Sequence, residues 1–245
     1  LYSLERNTNR TPLFNDCGDN VAKSRDALLA CAKARFGIVS VFKPVFPDAG
    51  YCVLEKETDS GLVKVIFDTG NPGPEYAMGH VHCDALSFEC FVDGEPWIVN
   101  CGTYAYQDES RLEYKKTLSH STVVVGDEEQ HECWAPFRVA RYGQGSLECC
   151  DGVTAAAQFC SQGAKAVVRR EIKISDTYLE VIDSSTSGDC ITCSFVFAAD
   201  CSQSSRCETW EYEPINMAAD FGQTKRAFRS IRQADGLVHS IFPFN

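Results

Sequence analysis

The pattern of polar and apolar positions changes period near residue 37. Upstream, VAKSRDALLACAKARF sets Val21, Leu28, Leu29, Ala32 and Phe36 at helical spacing, with Asp19 or Asn20 as the amino-terminal cap and Gly37 as the stop. A helix with such an apolar stripe must pack on something. Residues 1–18, before it, are polar and irregular. Downstream, short β-branched and aromatic runs recur between turn residues: IVSVF, YCVLEKE, LVKVIF, LSFECFV, PWIVN, STVVV, FRVARY, AKAVVRREIKI, TYLEVID, CITCSFVFA and LVHSIF. That rhythm predicts an all-β fold, an antiparallel β-sandwich. Asp93-Gly94, between FECFV and EPWIV, marks a tight hairpin, because both central residues of the favoured turn take positive φ. No repeat, low-complexity tract or Ser/Gly linker divides the chain, so residues 38–245 read as one domain and residues 1–37 as a helical remnant before it.

Composition narrows the function classes. A 44% hydrophobic chain of 245 residues can bury a proper core, and no run reaches the roughly 20 apolar residues of a membrane-spanning helix. A net charge of -11 with no Lys/Arg-rich segment argues against a nucleic-acid binder held by phosphate contacts, and requires any anion site to be local. Residue 1 is Leu and nothing near it resembles a signal peptide, so the chain reads as a processed or excised piece. Fourteen cysteines are scattered along it, several, such as Cys90, Cys101 and Cys193, inside strand-like runs, which favours reduced buried thiols over a disulfide framework. Cys190 and Cys193 have metal or redox spacing, but no second pair completes a zinc knuckle and the segment reads as a strand.

The candidate chemistry centres on MGHVHCDALSFECFVDGEPWIVNCGTYAY, residues 78–106. If residues 80–92 are extended, His80 and His82 project to one face, with Asp84 following them and Cys83 on the other. Asn100 ends the hairpin partner strand, where turn geometry brings it towards His82, and a third histidine, His120, opens HSTVVV. Two imidazoles and one oxygen are an adequate zinc set, although a neutral amide gives the ion less than a carboxylate does. The alternative is a set of hydrogen-bonded core histidines. A cupin-type oxygenase also begins with His-x-His, but its Glu follows after three or four residues, whereas Glu89 comes after six.

The same stretch, followed by Arg111, SHSTVVVGDEEQ and WAPFRVARY, closely resembles the heparinase II/III-like carboxy-terminal domain of polysaccharide lyases. The specific motifs span residues 79–142; the upstream helix and PDAGYCVLE are also similar, and residues after about 150 match as generic β-structure. The resemblance implies a bacterial lyase in which a helical toroid joins this sandwich, and uronate-containing polysaccharide is cleaved by β-elimination in the cleft between them. It implies an active-site role for His80 and a structural zinc on His82, Asn100 and His120, with departures at Asn100, where the family carries Asp, and at Ser121, where Asn is common. It also implies that the principal tyrosine and the carboxylate-binding Asn belong to an upstream α-toroid missing from this chain, and that the protein works in the cell envelope or periplasm. Fourteen reduced cysteines suit a cytoplasmic or anaerobic setting instead.

β-Elimination needs donors that neutralise the uronate carboxylate, a base near C5, and an acid for the departing O4. His80 is a suitable base near neutral pH, and Tyr104 and Tyr106, with Tyr114 behind them, are the local acid or base candidates; each also fits an aromatic packed at a strand end. Arg111, Arg138 and Arg141 can pair with sugar carboxylates, or be solvated surface residues. The competing class is a non-catalytic sandwich that binds glycans or serves polysaccharide assembly.

Overall fold

The computed structural model describes residues 1–8, 10–19, 21–162, 164–199 and 211–244. Its helices are α1 (Tyr2–Glu5), α2 (Arg25–Phe36) and α3 (Arg111–Lys115). The strands are β1 (Val45–Phe46), β2 (Tyr51–Thr58), β3 (Gly61–Asp68), β4 (Phe88–Val92), β5 (Glu95–Val99), β6 (Val123–Val125), β7 (Glu132–Ala135) and β8 (Arg138–Ala140). They continue with β9 (Gln144–Cys150), β10 (Thr154–Ser161), β11 (Ala166–Ile174), β12 (Tyr178–Ser185), β13 (Cys190–Phe197), β14 (Glu213–Asp220), β15 (Gln223–Asp235) and β16 (Leu237–Pro243).

Burial alternates along β11, β12 and β16, as it must where one face of a sheet meets a core and the other meets water. These strands belong to a sheet ordered β16-β12-β11-β10-β9, which faces a larger one ordered β1-β2-β3-β4-β5-β13-β15-β14, with β6 paired to β13. Side chains from both fill the space between, Phe195 lying 4.8 Å from Phe242 and Trp97 5.8 Å from Phe244 between ring centres. The expected antiparallel sandwich is thus present. So is the hairpin: β4 and β5 pair across Asp93 (φ 49°) and Gly94 (φ 83°).

β3 is buried almost throughout instead of alternating. The cause is the amino-terminal segment, which covers the outer face of the larger sheet. Phe14 packs on Ile66 and Phe91, and Leu13 on Val99 and Val196. Polar ties hold it there. The Lys64 amine donates to the carbonyls of Ser3 and Arg6, and burial pushes its pKa down to about 8. Buried Glu89 accepts from Arg10, from the Leu13 N–H and from the Asn100 N–H, so it is committed to this junction and not to a cupin-like metal set.

Three expectations need correction. The helix starts later, at Arg25 with Ser24 accepting from the Ala27 N–H; Asn20 lies outside the described residues. None of its residues is fully buried: Leu29 and Ala32 are half-buried, while Leu28 and Phe36 stay exposed. IVSVF is not a strand: it has no partner edge, and Ile38, Val39 and Val41 are 56%, 71% and 69% exposed. Strands β1, β7, β9, β10, β14 and β15 lie outside the predicted runs; in β10 and β15 the cause is that Ala155–Ala157 and the polar stretch from Gln223 to Arg226 carry little β-forming signal. No helix among the described residues is long and apolar enough to cross a membrane.

Candidate functional site

The site is assembled around Asp16, a residue that no sequence pattern marks. Asn15, just before it, takes a left-handed φ of 52°, a conformation Asn tolerates, and its side chain accepts from the His82 N–H at 2.8 Å. This turn swings Asp16 over the segment between β3 and β4. One carboxylate oxygen meets His80 Nδ1 at 2.7 Å, and the other meets His82 Nε2 at 2.8 Å. Arg111, at the start of α3, donates from both terminal nitrogens at 2.5 and 2.6 Å, and the Thr103 hydroxyl adds a contact at 3.2 Å.

His80 and His82 therefore do converge, but not by strand alternation. His80 ends a one-turn 3-10 helix (Met78–His80), residues 81–87 are irregular, and β4 begins only at Phe88. The two rings differ sharply in setting: the His80 side chain is 60% exposed and that of His82 is fully buried. Because an ionised Asp16 accepts from His80 Nδ1, the exposed Nε2 is left with its lone pair free. Burial pushes the Asp16 carboxyl up, but hydrogen bonds from His82 and Arg111 outweigh it and hold the group well below the usual carboxylate range. Burial pushes His82 down to about 4 despite its bond to Asp16, so the ring is neutral at pH 7.

The Tyr106 and Phe137 ring centres each lie 5.7 Å from that of His80 and 5.5 Å from one another, and the Arg111 guanidinium lies 4.9 Å from the Tyr106 ring centre. Burial raises the Tyr106 phenol, which stays protonated at neutral pH. An open groove of about 740 Å³ leads from His80 past Asn15, Tyr51, Asn71 and Ser146. The other named residues are dispersed. Tyr104 stacks on Tyr114, with ring centres 6.3 Å apart. Arg111 is buried and committed to Asp16, exposed Arg138 lines an open hollow with Tyr106 and Phe137, and exposed Arg141 pairs with Glu132 at 2.9 Å.

On the buried side, His82 Nδ1 and His120 Nε2 face each other at 3.3 Å. His120 Nε2 also lies 3.0 Å from the Tyr114 carbonyl, and burial pushes this ring down to about 3. Asn100 is buried, with its side-chain oxygen accepting from the Ser121 N–H at 3.1 Å and its Nδ2 without a protein partner. No group of three or more His, Cys, Asp or Glu is placed to hold a metal among the described residues. Cys193 is buried against Asp183 at 3.1 Å while Cys190 contacts the Ile191 carbonyl, so this pair forms no joint site. All twelve described cysteines are free.

An exposed imidazole steadied by a buried carboxylate at the mouth of a groove, on a two-sheet antiparallel sandwich, defines a domain with acid–base capacity. The family model for heparinase II/III-like C-terminal domains matches residues 43–236, and the chain belongs to that family. Among solved structures it is similar to a heparan sulfate lyase of Pedobacter heparinus (TM-score 0.70, 14% identity, covering 99% of this chain and 45% of that one). It is likewise similar to a protein described as a heparinase III gene product (TM-score 0.68, 14%, 98% and 44%) and to another heparinase III (TM-score 0.62, 16%, 99% and 46%). The chain thus spans less than half the length of the solved proteins it matches. No curated protein sequence matches it.

Proposed function

We propose that this chain is the carboxy-terminal domain of a bacterial polysaccharide lyase that opens uronate-containing glycans by β-elimination, with His80 as its catalytic contribution. The observation that carries the reading is the exposed His80 ring, held through Nδ1 by Asp16 and lining the groove. In the reaction, His80 Nε2 takes the C5 proton, the C5–H electrons form the C4–C5 double bond, and the C4–O4 bond breaks. Tyr106, protonated and beside His80, supplies the proton to departing O4. Arg138, in the hollow it shares with Tyr106, is the local cation for a sugar carboxylate, because Arg111 is already neutralised. The remaining carboxylate-neutralising groups and the main tyrosine belong, in this reading, to an upstream helical domain that covers the bare apolar strip of Leu28, Phe36, Ile38, Val39 and Val41. In this reading the protein works in the cell envelope or periplasm, where such glycans are met.

The same reading includes a structural zinc on His82, His120 and Asn100. The 3.3 Å between the two ring nitrogens equals the edge of a tetrahedron built on Zn–N bonds of about 2.0–2.1 Å. Asp16 behind His82 Nε2 fixes the tautomer that leaves Nδ1 free to bind. The Asn100 oxygen, with one lone pair engaged by Ser121, is the weak third ligand. Bound there, the ion would hold the His82 segment, the β5 end and the His120 turn together.

The test is incubation of the full-length protein, and separately of this chain, with several uronans while following the 4,5-unsaturated product. Product from the full-length protein and little from the chain alone supports the reading. No product from either points to a glycan-binding sandwich, and robust elimination by the isolated chain removes the need for an upstream domain.

A further inference from the structure

Beside the site, and unused by it, two thiols meet. Cys83, next to His82 and fully buried, has its Sγ 3.8 Å from Sγ of half-buried Cys133 on β7. A disulfide requires about 2.05 Å between the sulfurs, so rotation of these two side chains has only about 1.8 Å to close. Fifty residues separate the pair in sequence. We propose that Cys83 and Cys133 form a reducible disulfide that fastens the β7–β8 hairpin to the His82 segment.

The hairpin is where such a bond has a consequence. β7 and β8 pair only with each other and join neither large sheet. Side-chain ties hold them to the rest: the Lys115 amine donates to the Pro136 carbonyl at 3.2 Å, and the Cys83 thiol to the His131 carbonyl at 3.5 Å. Yet this hairpin carries Phe137, whose ring meets His80, and a Cβ added at Gly79 would come within 3.2 Å of the Phe137 carbonyl. Linking Cys83 to Cys133 therefore clamps one wall of the His80 cleft.

The chemistry needs a disulfide as oxidant, such as oxidised glutathione. The more accessible Cys133 attacks one sulfur of the oxidant as thiolate and releases the first glutathione thiol. Cys83 then attacks the Cys133 sulfur and expels the second. Two protein thiols are oxidised, one glutathione disulfide is reduced to two thiols, and the protons pass to the leaving thiolates. The inference does not depend on the lyase reading.

To test it, reduced protein is treated with oxidised glutathione, both folded and during refolding from denaturant, then alkylated and mapped by mass spectrometry after proteolysis. The expected result is a linked peptide pair containing Cys83 and Cys133. The melting temperature should rise by several degrees, a gain absent from Cys133→Ser, and the β7–β8 hairpin should become more resistant to protease. Recovery of both cysteines singly alkylated, or bonded to other partners, in both arms would overturn the proposal. A Cys133→Ser protein that gains as much stability on oxidation as the wild type would do the same.

Discussion

Arg170–Asp183 and Arg111–Asp16 are both two-pronged guanidinium–carboxylate pairs with the arginine wholly buried, and they differ in what else reaches the carboxylate. Arg170 and Asp183 are cross-strand neighbours on β11 and β12. The free arginine N–H groups go to the carbonyls of Leu86 at 2.9 Å and Ser121 at 2.7 Å, which ties the smaller sheet to the segments that carry the site. Nothing from solvent enters. Asp16 instead arrives from an irregular segment and shares its oxygens with His80, His82 and Thr103, one of which opens to water. The sealed pair braces; the open pair orients an imidazole.

That contrast sets the largest expected effect. Asp183→Ala strands a buried guanidinium and should cost about 3–5 kcal/mol in a denaturant titration. Asp16→Ala should cost less, about 1–3 kcal/mol, because the cleft lets water take the vacated place. Equal losses would mean that the two pairs are sealed alike.

Next comes the division of labour between the histidines that share Asp16. If the proposed lyase reading is right, His80→Ala in the full-length protein should lower turnover of a uronan by about 10² while melting stays nearly unchanged. On the proposed zinc site, His82→Ala should first lose metal and stability, read by metal analysis and melting with and without chelator. If both variants fail together, His80 belongs to the structural set and the open pair has no catalytic end.

Much of this comparison was legible in part. GHVH, Asn100 and His120 stand out as a His-x-His with an Asn at the end of the hairpin partner strand and a third His further on, and the Asp93-Gly94 turn fixes how two strands lie beside them. Asp16 was not legible: it lies in FNDCGDN, without period, and only tertiary contact brings it to residues 80, 82 and 111. The apolar pair Leu13-Phe14 was the available sign that the segment docks. Gly102 shows the same limit. Its φ of 72° and the 2.1 Å that a Cβ would leave to the Ala218 carbonyl come from a strand far along the chain that sequence reading missed.

Acid separates sealed from open groups in a third way. His131, packed on Phe159, is pushed by burial from 6.5 to about 4. The unfolded chain thus takes its proton first, and the stability His131 contributes is full above pH 6.5 and lost as pH falls towards 4, at up to about 1.4 kcal/mol per pH unit. In metal-free protein, His82 and His120, lowered to about 4 and 3, add with the same sign. Asp16 acts lower: its contribution is present above the ordinary carboxylate value and lost as pH falls towards its depressed folded one. Melting followed across pH should show His131→Phe flattening the upper window and Asp16→Asn the lower. A curve unchanged by His131→Phe would place that ring in contact with water.

The smallest effect belongs to Arg169, one residue from Arg170 on β11 and on the opposite face. It pairs with Glu148 at 2.8 Å and Glu171 at 2.9 Å, on a side chain 38% exposed. Both charges keep most of their hydration there, and holding three long side chains in one arrangement costs entropy, so Arg169→Ala should change stability by less than about 1 kcal/mol. The expected difference between adjacent arginines is therefore several-fold, set by which face of the strand each occupies. Should Arg169→Ala cost as much as Arg170→Ala, face and burial would not be what distinguishes a bracing ion pair from a surface one in this sheet.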